Sequence, residues 1–304
     1  MRDIVELHND WSNIPFKRSI SKIYHYTSKM GLDGIFNNKQ LWANDIYRQN
    51  DKSEGIYVLD LLKSNIDSLC SDKKIKDAIL QEAERMRPKL VDGFCYSKKY
   101  RSFIISFSTA SDELALWNYY TKDSKSVGYN IQFEVSVLER CLSTIKKKKG
   151  ENGSVQRYTD NIKYHHGKVF YNSEEQLCIL KQIIQEFSEY YCKTDDTWVY
   201  LMVDKILWVG TFFKNPHFKH EYEYRFAFFT QTDKSMPEMF GLPLEFEGEK
   251  KNHIEIYFDT AAICQVICSP TNSDEQVQYP EKYMSGCYPN FKSVKMSEVP
   301  FRII

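Results

Sequence analysis

The chain has no surplus of charge of either sign: 41 lysines and arginines are balanced by 41 aspartates and glutamates among 304 residues. A neutral chain lacks the global positive field of a protein that coats nucleic acid. Its eight cysteines, at 70, 95, 141, 178, 192, 264, 268 and 287, include no C-x-x-C pair, and the closest two, Cys264 and Cys268, lie in an apolar run. That spacing fits neither a zinc-ligand set nor a small disulfide scaffold; buried, reduced thiols in a cytosolic protein are expected. No apolar run approaches the roughly 20 residues of a membrane-spanning helix, and Met1 to Ser12 carries no apolar leader core. The expected protein is soluble and cytoplasmic, with no membrane partner and no metal. H-E-x-x-H, G-x-S-x-G, the Walker loop and G-x-G-x-x-G are all missing, which removes the commonest protease, hydrolase and nucleotide-fold readings.

Aromatic residues, by contrast, are plentiful, at 15% with 21 Tyr and 19 Phe. They serve first as core and loop packing, and second as a stacking surface for a base or a nicotinamide ring. A chain of this length buries about 75% of its unfolded surface, enough for a full core. Residues 1–304 are read as a single domain, with 174–213 either a helical insert or a cover on the sheet. The run Lys146 to Lys149, followed by Gly150 to Ser154, reads as a solvated loop within a flexible connection from Lys146 to Asp160.

Period-two alternation predicts strands over Lys22–Thr27, Gln40–Ala43, Arg101–Thr109, Val127–Val135, Val169–Tyr171, Tyr222–Thr230, Ile254–Phe258, Ala262–Cys268 and Phe301–Ile304. Helical spacing predicts helices after Ser28, over Glu54–Leu69, Lys73–Arg87, Asp112–Tyr120, Glu174–Tyr191, Thr197–Phe213 and Asn272–Ser285. Strands and helices mix without regular βαβ alternation. The fold class expected is α+β, with mixed, mostly antiparallel sheets and flanking helices.

Short polar clusters sit at the edges of these runs. His25 and Thr27 share a strand face, where an imidazole and a hydroxyl can hold a ribose, with Tyr26 beside them. Ser106 and Ser108 share another face; they bond neighbouring backbone or orient a carboxamide or a catalytic glutamate. In a strand, Glu221-x-Glu223 puts two carboxylates on one side, one for a ribose hydroxyl and an oxocarbenium-like transition state, the other for an acceptor. Arg225 on the same side allows a simple charged sheet edge instead. Asn50, Asp51 and Glu54 precede a helix and cap it, or join the site. Trp117 and Tyr120 form a hydrophobic anchor, or place a tyrosine over a nicotinamide.

Taken together, Tyr24-His25-Tyr26-Thr27, Leu41-Trp42, Asn50-Asp51, Phe107-Ser108, Leu116-Trp117 and Glu221-x-Glu223-x-Arg225 resemble the family called domain of unknown function twenty-nine seventy-one, over most of the chain. A second resemblance is to the ADP-ribosyltransferase superfamily, through His25, Ser106-Phe107-Ser108 and Glu221-x-Glu223 in that order. Phe107 stands where that superfamily has Thr, and the His-plus-Ser combination mixes two of its subclasses. This likeness implies an ADP-ribosyltransferase-like core that uses NAD as substrate. Glu223, Glu221 and His25 would then be catalytic, and His25, Tyr26, Thr27, Asn50, Ser106, Ser108, Tyr120 and Arg225 would bind the nucleotide. The first family's frequent phage setting implies a bacterial toxin or phage-defence effector with a nucleic-acid or protein acceptor. The alternative is a non-catalytic nucleotide-binding sensor of the same fold. A nucleic-acid-binding protein using Lys146 to Lys149 is a third reading.

Overall fold

In the computed structural model the alternating segments pair into one nine-stranded sheet with helices on both faces. The structure describes residues 3–16, 19–49, 51, 53–87, 90–91, 94–95, 100–120, 127–144, 146–149, 155–158, 163–191, 196–231, 253–284 and 286–300.

Strand β1 (Lys22–Ser28) leads through helix α1 (Lys29–Asn38) to β2 (Gln40–Asp45). The Ser28 hydroxyl caps this helix by accepting the Gly31 N–H, and Lys39 ends it in the left-handed region. Gly31 is required there, because any Cβ would lie 2.0 Å from the Thr27 hydroxyl. Two helices follow, α2 (Tyr57–Leu69) and α3 (Lys73–Met86), the latter capped by Asp72. Then come β3 (Tyr100–Ser108), α4 (Leu114–Tyr120), β4 (Gly128–Glu134) and α5 (Val135–Thr144). Strand β5 (Lys163–Lys168) precedes the long helices α6 (Ser173–Ser188) and α7 (Thr197–Gly210). Strands β6 (Glu223–Gln231), β7 (His253–Tyr257), β8 (Ile263–Cys268) and β9 (Ser293–Met296) complete the sheet. Its pairs are antiparallel except β8–β9. The α+β class, with a mostly antiparallel sheet flanked by helices, is what the alternation predicts.

Strand β3 is the centre. One edge pairs along its whole length with β6, whereas the other is shared by two strands, β1 at Ser108 and β2 at Phe103 and Ile104. The sheet therefore forks. Phe103, Ile105 and Phe107 pack to one side with Tyr224, Phe226 and Phe228, under α1 and α5. On the other side Ile104, Ala227 and Phe229 join a cluster with α2, α3, α6 and α7, which includes fully buried Leu180, Phe187 and Phe212. Each such side chain contributes roughly 1.5–3 kcal/mol. Residues 174–213 thus share the core of the sheet. A small cluster on that same side, Tyr26, Leu116, Trp117 and Ile267, covers the far strands. Between the two clusters the face turns polar.

Several expectations shift. Residues 169–171 follow a strand that lies over Lys163–Lys168, because His166 and Gly167 pair with Phe226 and Arg225. Val135–Thr144, not marked from the sequence, is a helix. Part of the expected flexible connection is paired: Lys146–Lys149 lies antiparallel to Val155–Tyr158. Asn272–Ser285 divides into a short helix, Asp274–Gln278, and a 3-10 turn, Tyr279–Tyr283, where Pro280 lacks the N–H needed to continue. Of the described cysteines, Cys268 is buried, whereas Cys178 and Cys287 are exposed. The expected strand at 301–304 lies outside the described residues. No described helix is long and apolar enough to cross a membrane.

Candidate functional site

The fork opens a cavity of about 110 Å³. A cavity of roughly 150 Å³ accepts benzene, so this one encloses at most a single small ring. Strand β1 contributes Tyr24, His25 and Tyr26 to its wall, and β2 contributes Trp42 and Asn44. From β3 come Ile104, Ser106, Phe107 and Ser108, with Leu116 from α4. Gln49, Glu221 and Glu223 complete it, and no lysine or arginine lines it among the described residues.

Beneath the carboxylates lies a buried ion cluster. The Arg225 guanidinium donates from Nε to Glu223 Oε1 (2.5 Å) and from Nη2 to Glu223 Oε2 (2.8 Å). It also donates to Glu54 and, at 2.6 Å, to the Thr211 carbonyl. The Lys214 ammonium donates to Glu221 Oε2 (2.6 Å) and Glu223 Oε2 (3.1 Å), with Glu54 at 3.7 Å. Three carboxylates therefore face two cations, leaving a surplus of one negative charge when all are ionised.

Burial works against the charge of Glu223, but Arg225 and Lys214, helped by the Ser106 hydroxyl, outweigh it and hold its carboxyl at about 2. Burial dominates at Glu54 and pushes its carboxyl up, with Arg225 pulling the other way. Burial likewise opposes the Lys214 charge, yet Glu223, Glu54 and Glu221 keep it firmly protonated. His25 has its pKa lowered by burial, against a backbone hydrogen bond from Nδ1–H to the Ser106 carbonyl (3.1 Å). That bond leaves Nε2 as the acceptor nitrogen of the neutral ring.

His25, Tyr26, Ser106, Ser108, Glu221 and Glu223 thus line one cavity. Their local roles differ from simple strand logic. Glu221 is not in the strand with Glu223; it ends a 3-10 turn, Pro216–Glu221, and Tyr222 between them has φ 48°. This left-handed residue is sterically unfavourable for tyrosine, and its carbonyl is pinned by the Thr109 N–H at 2.8 Å. Lys214, rather than strand periodicity, brings the two glutamates together. The Ser108 hydroxyl is occupied by backbone, donating to the Glu221 carbonyl (2.8 Å) and accepting the Ala110 N–H (3.0 Å).

Arg225 does not line the cavity: it is fully buried behind Glu223, where it donates four hydrogen bonds to two carboxylates and a carbonyl. Thr27 lies outside the lining, opposite Tyr129 on the sheet. Tyr26 packs edge-on to Trp117, its hydroxyl donating to the Ala110 carbonyl. Trp117 is buried and donates from Nε1 to Asp112 (2.7 Å), the anchor its spacing predicts. Tyr120 closes α4, but its side chain, like Asn50, lies outside the described residues.

Lys214, Asn44 and Gln49 are residues that sequence reasoning missed, and Trp42 entered it only through the family resemblance and not as a site residue. A signal existed for Lys214, a lone cation directly after Phe212-Phe213 and before Asn215-Pro216, where an apolar helix must end. Glu54 was visible as a helix cap or a member of the site, but its partner Arg225 is distant in sequence. Among the described residues no group of three or more His, Cys, Asp or Glu side chains is placed to hold a metal ion.

No curated protein and no solved structure matches the chain. Residues 116–226 match the family described as protein of unknown function (DUF2971). The matched stretch runs from α4 to β6, so it contains Lys214, Glu221, Glu223 and Arg225, while His25 and Ser106 fall before it. Over that stretch the chain carries the DUF2971 pattern, the family its sequence resembles.

Proposed function

We propose that the cavity receives the nicotinamide–ribose end of NAD⁺ and that the protein transfers ADP-ribose from it to a nucleic-acid or protein acceptor. The observation that supports this is a ring-sized cavity whose floor carries two carboxylates and no lining cation. Such a floor favours a cationic ring such as a pyridinium and disfavours a phosphate. The same field favours the ribosyl centre as the bond from C1′ to the nicotinamide nitrogen breaks. The bonding pair leaves with neutral nicotinamide, positive charge spreads over C1′ and the ring oxygen, and an acceptor atom then bonds to C1′ and loses its proton.

Within this reading the two glutamates divide the work by their exposure. Glu223 has both oxygens bonded to cations and is 4% exposed, so it acts as a fixed anion that sets the field. Glu221 is tied by one oxygen to Lys214 and faces the cavity, so it meets the ligand. His25, neutral, offers an acceptor to a ribose hydroxyl, and Ser106 orients Glu223. The test is calorimetry with NAD⁺ followed by chromatographic detection of nicotinamide. Release by the native chain and its loss in Glu221→Gln with the fold intact is the expected result; equal release by that variant overturns the role.

The neutralisation of Glu223 by two cations favours one alternative, a nucleotide-binding sensor without chemistry. Saturable NAD⁺ binding with no nicotinamide formed would select it.

A further inference from the structure

The cavity is too small for a dinucleotide and has no cation for a pyrophosphate, so most of such a ligand must lie at its mouth. There stands Trp42. Of the five tryptophans, Trp11, Trp117, Trp198 and Trp208 are at most 7% exposed, whereas Trp42 is 55% exposed. It lines the cavity and lies flat against His253 of the neighbouring strand, with ring centroids 3.9 Å apart and planes 13° apart. The β2–β7 register explains the pair: Asn44 lies opposite His253 and Trp42 opposite Glu255, so the indole and imidazole are diagonal neighbours on the cavity side. A large ring left in water on a rigid strand gives up burial that the other four indoles obtain. It is also held in one plane, ready for a second flat group. The exposed carboxylate of Glu255 opposite it suits ribose hydroxyls or an exocyclic amine, and not a phosphate.

We propose that Trp42, held by His253, is a base-stacking subsite that binds the adenine end of the nucleotide outside the cavity. This rests on the NAD⁺ reading for the ligand's inner end, but Trp42 can be tested by itself. Intrinsic fluorescence sums all five tryptophans, and loss of the quench in Trp42→Ala assigns it to this one. Titration with NAD⁺ or with AMP is expected to quench the emission saturably. Trp42→Ala is expected to remove the quench and to weaken NAD⁺ binding roughly tenfold or more, the usual cost of losing one stacked base. Trp42→Phe should restore most of the affinity, and 1-methylnicotinamide, which has no adenine, should lose less affinity in Trp42→Ala than NAD⁺ does. Native-like circular dichroism of both variants secures the comparison. Unchanged NAD⁺ affinity in Trp42→Ala overturns the subsite and leaves the ribosyl-transfer reading standing. Quenching by AMP with no nicotinamide released from NAD⁺ supports the subsite and removes that reading. No quenching by either nucleotide overturns the subsite.

Discussion

Strand β6 sends alternate side chains into two buried polar networks, one on each face of the sheet. On one side Tyr224 donates to His166 Nδ1 (2.7 Å), and His166 donates from Nε2 to Glu139 (3.2 Å) while stacked on Phe226. Tyr224 and His166 are buried among aromatic rings, and neither lines the cavity at the fork. On the other side Glu223 and Arg225 join Glu54, Lys214 and Glu221, and there the packing stops at a hollow. The first network is a short relay that anchors a helix to the sheet. The second also ties helix ends to the sheet, through Arg225 to the Thr211 carbonyl and to Glu54, but it gathers five charges beside the open space. Burying ions is costly, and replacing such groups by apolar ones is often neutral or stabilising, so the second network calls for a use beyond stability.

The difference can be attacked directly. Arg225→Leu leaves Glu223 and Glu54 buried without their main partner and is expected to cost about 3–5 kcal/mol in urea unfolding, the largest effect on stability. Glu221→Gln is expected to lower nicotinamide release by roughly 10²–10³, or about 3–4 kcal/mol of barrier, while stability stays near native. A comparable loss of turnover from Tyr224→Phe would erase the distinction between the two networks.

Acid sharpens the same contrast. The folded Glu223 carboxyl lies below its ordinary range, so its stabilisation is complete above that range and is lost as pH falls toward about 2. Glu54 has the opposite sign: its raised pKa favours the folded state in acid and is a liability as pH rises. Urea midpoints measured across acid pH should therefore fall less steeply in Glu223→Gln than in the native chain, and more steeply in Glu54→Gln. The smallest effect belongs to the sealed network. Tyr224→Phe should cost about 1 kcal/mol, through one lost hydrogen bond, with turnover unchanged.

Much of the sheet was legible because burial on one face leaves a period-two trace, as in Phe103, Ile105 and Phe107. The strand over Lys163–Lys168 was not, since Lys163-Tyr164-His165-His166-Gly167-Lys168 is polar in composition and is held by pairing to β6. At the site, His25, Ser106 and the glutamates were readable as candidates from residue type. Lys214 stood out only as a lone cation after an apolar run, and its role was hidden because a lysine's burial depends on carboxylates that only the fold brings to it. Strand logic also misplaced Glu221, for nothing in the residues Glu221-Tyr222-Glu223 announces a left-handed tyrosine between them.

The two strands that divide one edge of β3 are joined by the helix Lys29–Asn38, which packs on the face of the sheet rather than filling the gap between them. No enlargement of a lining side chain can zip that edge shut, since the missing partner there is backbone. Related chains with quite different residues around the opening would inherit the same hollow, and could change what they accept without relearning how to fold.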